Sequence, residues 1–153
     1  MTLLTRLRRL SRREIRLLAA SMLLLPATAA ALRLVGFGRL HALTSARPAR
    51  RRHGAEEDDR VRDTARMVAA AARHAPVGGT CLPHSLVLQW LLRRQGIATR
   101  LQLGVRKDQG VVGAHAWVEY HGKPLNDLPD VHERFAAFDS AGRAPRTAPR
   151  GTR

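Results

Sequence analysis

The sequence holds a single cysteine, Cys81, and it stands at the head of a helix-like stretch, 80-TCLPHSLVLQWLLRRQG-96. Thr80 fits an N-cap, Pro83 the first turn and Gly96 the C-cap. A thiol so placed feels the unpaired amides of the helix start, which stabilise the thiolate and lower its pKa. The same amides can bind an oxyanion growing on an attacked carbonyl. A thiolate nucleophile also needs an imidazole, to form an ion pair with it and then to protonate the leaving amine. His115, in 113-GAHAWVEYHGKPLND-127, is the best-placed partner. Asp127, at the end of the same stretch, can orient the imidazole through its other nitrogen. Taken singly, a lone cysteine is more often a buried structural residue, a strand histidine a structural one, and an acid past a turn a turn residue. The three together point to nucleophilic attack on an amide carbonyl.

Along 114–120 the side chains alternate: His115, Trp117 and Glu119 on one face, Ala116, Val118 and Tyr120 on the other. If the first of these faces meets the Cys81 helix, His115 approaches the thiol and Trp117 packs alongside. The hairpin that follows sets where Asp127 lies. A two-residue loop, His121-Gly122, puts it opposite Ala116 and on the wrong face. A three-residue loop, His121-Gly122-Lys123, puts it opposite Trp117, diagonal to His115, so the three-residue loop is expected. Asn126 and Asp130 are the alternative orienters.

His84 and Cys81 form a C-x-x-H pair, but a zinc site needs two more ligands and there is no second cysteine. No metal and no cofactor is expected. His41, His53, His74, His121 and His132 belong to no constellation, and surface or turn positions account for them. The same Cys-His-Asp set serves acyl transfer to an amine, as in transglutaminases and arylamine acetyltransferases; the two outcomes differ in whether water or an amine resolves the acyl-enzyme.

The elements that must position these groups can be traced outwards. The Cys81 helix is apolar nearly all round, as a helix at the centre of a domain is. Before it, AEEDDRVRDTARMVAAAARHAP opens on acids and closes on Arg73 and His74, with Val61, Ala65, Val68, Ala69 and Ala72 on one face: an amphipathic helix stopped by Pro76, Gly78 and Gly79. After it, 98-ATRLQLGV-105 alternates as a strand, RKDQGVVG reads as a loop, 114–120 as a second strand, and PLND as a third strand-like segment. Phe135 and Phe138 are expected to pack the end of the chain onto the sheet. The fold class is α+β, a helix on a small antiparallel sheet preceded by a helical arm.

The 153 residues carry a formal net charge of +15, unevenly spread. Residues 1–54 hold twelve arginines against one glutamate, residues 55–140 hold eleven basic and eleven acidic side chains, and residues 141–153 hold four arginines and no acid. The expected division follows: a basic hydrophobic arm and linker over 1–54, a neutral catalytic domain over 55–140 and a disordered basic tail over 141–153. The abundance of Arg and Ala, with Lys107 and Lys123 the only lysines, looks like a GC-rich bacterial coding bias. Within the arm, an apolar run from Leu17 to Leu32 contains Pro26. It is short for a spanning helix and mimics a signal peptide with Ala27-Thr28-Ala29 as the cleavage site, but Arg16 and Arg33 flank it closely. Two short helices hinged near Pro26, lying on a membrane surface or a partner protein, are expected. A non-catalytic basic protein is the competing class; the neutral middle and the scarcity of aromatics argue against nucleic acid as a partner.

The words CLPHSLVLQWLLRRQGI, LQLGV and GAHAWVEYHGKPLND resemble the transglutaminase-like cysteine peptidases of lasso-peptide biosynthesis. These are leader peptidases, related to the C-terminal domain of the microcin J25-processing protein and called B2 proteins when they stand alone. The resemblance covers roughly residues 60–140. It implies a papain-like fold with the nucleophile, acid/base and orienter at Cys81, His115 and Asp127. It further implies removal of a leader from a ribosomally made precursor peptide, after which an ATP-dependent cyclase closes the core. In fused relatives a leader-recognition domain precedes the peptidase. Residues 1–54 are unlike such a domain, so a separate recognition protein (B1-type) is an expected partner, as is a membrane surface for the arm. The expected place is the cytoplasm, at or near the membrane.

Overall fold

The computed structural model describes residues 10–45, 54–74, 81–108 and 111–138. Thr80, Pro76, Gly78, Gly79, His53 and the tail from 141 lie outside these, so the N-cap, the helix stop and the tail expected there do too. Three helices come first: α1 Arg12–Ser45, α2 Ala55–His74 and α3 Cys81–Arg94. Then β1 Arg100–Asp108, β2 Val111–Tyr120, β3 Lys123–Pro124, the single turn α4 Val131–Arg134 and β4 Ala136–Phe138 complete the chain. The four strands form one antiparallel sheet in the order β3-β2-β1-β4. This is the expected α+β arrangement.

Helix α3 is the hub. Leu86, Leu88 and Leu92 are wholly buried, with Val87 and Leu91 nearly so, which is why the stretch is apolar on every side. It ends as its glycine predicts. Gly96 takes φ 80°, its amide donates to the Arg93 carbonyl (2.9 Å), and the Ile97 amide donates to that of Leu92 (3.0 Å). These two bonds make a Schellman ending, sealed by buried Ile97.

Helix α2 begins and ends where the charges place it. Its buried face is turned slightly from the expected one: Val61 and Val68 are shared, but Thr64, Met67 and Ala71 complete it. Tyr120, on β2, brings its hydroxyl within 3.0 Å of Glu57 and 3.1 Å of Asp58, fastening the sheet to the start of α2.

The arm differs from expectation. It is hinged at Gly36 (φ 79°, ψ 166°), not at Pro26. A proline removes one amide and one helical bond, which neighbouring turns can absorb. A glycine can enter the left-handed region and break the helix outright. The helix opens with a capping box: the Ser11 amide donates to Glu14 Oε2 (2.7 Å) and the Glu14 amide to Ser11 Oγ (3.2 Å). Glu14 also pairs with Arg66 of α2. Leu25 is buried in the core, and Leu17, Leu18, Leu24, Leu32, Phe37 and Leu40 pack against it. One face of the arm is thus covered by α2 and α3.

Candidate active site

Strand β2 carries His115, and its partner β1 shows what the histidine faces. The ladder pairs Leu101 with Val118 and Gly104 with His115. Leu101, Val118 and Tyr120 join the core with α3. His115 and Trp117 lie on the other face, where 131–138 covers them. The Phe135 ring stacks on His115 at 4.8 Å between centroids, and Trp117 meets His115 at 6.0 Å and His132 edge-on at 5.6 Å. This corrects the expectation that the His115 face meets the Cys81 helix with Trp117 alongside. The apolar members of the alternation, Val118 and Tyr120, take the helix side because α3 is itself almost wholly apolar. Gly104 has a role here that sequence alone does not show. A Cβ at that position would come within 2.8 Å of the Trp117 indole and 2.9 Å of the Phe135 Cβ, so only glycine leaves room for both side chains.

The expected hairpin register is also corrected. Glu119 pairs with Pro124 and Tyr120 with Lys123, which makes a two-residue loop of His121 (φ 50°) and Gly122 (φ 76°). Two successive positive φ values match the twist of a tight hairpin, and here a histidine accepts one of them. The ladder would carry Asp127 to the wrong face, but it ends first. The Leu125 amide still donates to the Val118 carbonyl (2.9 Å). The Val118 amide, however, donates to the Asn126 side chain (2.8 Å) instead of to a strand carbonyl. The chain is released from the sheet, and Asp127 Oδ2 accepts a hydrogen bond from His115 Nε2. Asn126 and Asp130, the alternative orienters, do other work: Asn126 holds β2, and Asp130 pairs with Arg134 (3.2 Å).

Asp127 is gripped on both oxygens. Its Oδ1 accepts from the Leu128 amide (2.6 Å) and pairs with Arg134, a partner that sequence reasoning does not supply. Burial pushes the carboxyl pKa up, but hydrogen bonds from His115, the Leu128 amide and Arg134 outweigh it and hold the group below its ordinary value. Asp127 is therefore ionised at neutral pH, able to fix Nε2–H and leave Nδ1 as the basic nitrogen. Its contribution to stability is fully present above the ordinary carboxylate pKa of about 4 and fades as pH falls through the lower folded value. Acid titration of unfolding should show the gap between wild type and Asp127→Asn shrinking below about pH 4; a gap that stays constant to pH 2 contradicts this grip.

Cys81 is half-buried as the first residue of α3. One turn on, Ser85 is fully buried and donates to the Ala116 carbonyl (2.9 Å), tying the Cys81 face of the helix to the strand residue beside His115. The structure thus joins His115 to Asp127 directly. It joins Cys81 to them through its helix, with no Cys81–His115 hydrogen bond among the described contacts. His84 is held neutral by burial, its Nε2 without a partner. His132, read as a surface residue, reaches Glu119 (3.1 Å), which also accepts from Trp117 (3.0 Å) and Gln102 (3.1 Å).

A protein-family model of the transglutaminase-like superfamily matches residues 24–139. The chain belongs to the transglutaminase-like superfamily. The match begins within α1, the arm whose inner face packs on the core. Function in this superfamily is of the cysteine-protease or acyltransferase type, and its members are typically cysteine peptidases or transglutaminases. No curated protein and no solved structure matches the chain.

Proposed function

We propose that this protein is a leader peptidase of lasso-peptide biosynthesis, with Cys81 as nucleophile, His115 as acid/base and Asp127 as orienter. The observation that carries the reading is the His115–Asp127 contact on the strand tied to the Cys81 helix, in a transglutaminase-like chain. The Cys81 thiolate attacks the carbonyl at the end of the leader, and the α3 amides steady the oxyanion. His115 protonates the amine of the departing core peptide, and the C–N bond breaks. Water, deprotonated by the same imidazole, then cleaves the thioester and frees the leader as a carboxylic acid. An amine in place of water gives the acyltransferase alternative.

Substrate delivery is assigned to a separate recognition protein, with the ATP-dependent cyclase acting downstream. Supporting this, residues 12–45 are helical on either side of Gly36 and laid on the catalytic unit. Precursor peptide incubated with the enzyme should be cleaved slowly alone and faster when the recognition protein is added, read by product mass. Equal rates with and without it contradict the assignment.

The outer face of α1 is assigned to the cytoplasmic leaflet. Leu23, Leu34 and Leu43 are 75%, 84% and 72% exposed, with Arg12, Arg16, Arg33 and Arg39 exposed around them. The helix is long and apolar enough to cross a bilayer by length and composition. Its opposite face is committed to the core, which favours lying along the surface. Full-length protein should float with anionic liposomes, more at low salt than at high. A protein that never floats contradicts this placement.

A further inference from the structure

Strand β3 is two residues long, so among the described residues most of the outer edge of β2 has no strand beside it. Two backbone groups on that edge, the Val118 amide and the Ala116 carbonyl, would be left unpaired in a buried place, which is costly. Side chains take them instead. The Val118 amide donates to Asn126 Oδ1 (2.8 Å), Asn126 Nδ2 donates to Ser85 Oγ (2.9 Å), and Ser85 Oγ donates to the Ala116 carbonyl (2.9 Å). Every donor and acceptor in this chain is used in one sense only, which fixes the orientation of the Asn126 amide. The residues it links neighbour the three candidate groups. Ser85 is one turn from Cys81, Ala116 follows His115, and Asn126 precedes Asp127.

We propose that Ser85 and Asn126 are positioning residues that set the Cys81 helix, the His115 strand and the Asp127 bend in register with one another. The proposal rests on the cysteine-peptidase reading and adds to it the device that places its three groups. Among the described contacts neither residue hydrogen-bonds to Cys81, His115 or Asp127. Ser85 fixes the distance from the helix start to the strand. Asn126 ends β3 and thereby turns Asp127 onto His115. Breaking either link lets the imidazole drift relative to the thiol while the apolar core stays in place.

The test uses full-length protein, with wild type, Ser85→Ala, Asn126→Ala and the double variant compared. The pH profile of Cys81 alkylation by iodoacetamide reports how well the imidazole stabilises the thiolate, and precursor cleavage reports kcat and KM. In each single variant the alkylation midpoint should rise by roughly one pH unit. In each, kcat should fall by about 100-fold with KM little changed. The double variant should be hardly worse than either single one, because the chain is already broken. Asn126 lies outside the apolar core, so Asn126→Ala stays informative if Ser85→Ala fails to fold. A folded Asn126→Ala protein with the wild-type alkylation profile and kcat overturns the proposal, as do losses that simply add in the double variant. Failure of the underlying reading looks different: wild type itself would then show the alkylation profile of an ordinary free thiol.

Discussion

Cys81→Ala is expected to abolish precursor cleavage while leaving the fold and precursor binding intact. The sulfur supplies the only nucleophile in the scheme, and the chain has no second thiol to replace it. Cys81 is half-buried at a helix start, away from the fully buried Leu86, Leu88 and Leu92, so losing the sulfur opens no large core cavity. The loss should therefore appear in kcat and not in thermal unfolding. A well-folded Cys81→Ala protein that turns over normally ends the cysteine-peptidase reading.

His115→Ala should come close behind, with a rate loss on the order of 10⁴-fold or more, as for other triad members. It removes the group that stabilises the thiolate and the proton donor for the leaving amine together. Asp127→Asn should cost roughly two orders of magnitude less. The thiol and imidazole remain, and Arg134 and the Leu128 amide still hold the side chain near His115. What it loses is the charge that holds the proton on Nε2. Wild-type kinetics in a folded Asp127→Asn protein would remove Asp127 from its assigned role.

The parts of this fold that are legible in the sequence are those decided locally. Helix α3 announces itself through its apolar circumference and Gly96, and α2 through its acidic start and basic end. The packing of Phe135 onto the sheet is likewise read from its size and place. The capping box 11-SRRE-14 is a legible signal that a reading by apolar runs alone passes over. What is not legible depends on pairings that no periodic pattern announces. Residues 106–113 read as a loop, yet the β1–β2 ladder runs on to Asp108 opposite Val111. Strand β4 is three residues long, too short for alternation to show. The pairing of Asp127 with Arg134 requires knowing that α4 folds back under β2.

The candidate site shows the same division more sharply. His115 and Asp127 can be picked by residue type and spacing, but the route by which they meet cannot. Counting positions along a regular hairpin demands a three-residue loop. The protein uses the two-residue loop and then leaves the hairpin at Asn126, whose side chain takes the place of a strand carbonyl. A bend that replaces a ladder bond with a side-chain bond leaves no periodic trace. Gly104 is similar: nothing around it marks a turn, and its reason is the close approach of the Trp117 ring and the Phe135 side chain.

The most direct measurement is the mass of the products formed from precursor and recognition protein in oxygen-18 water, with wild-type enzyme and with Cys81→Ala. The account predicts that wild type releases a leader carrying one heavy oxygen at its new carboxyl terminus, together with a core peptide bearing a free amine, and that Cys81→Ala releases neither. A precursor that stays intact with wild-type enzyme, or a leader recovered joined to an amine without the label, would contradict it.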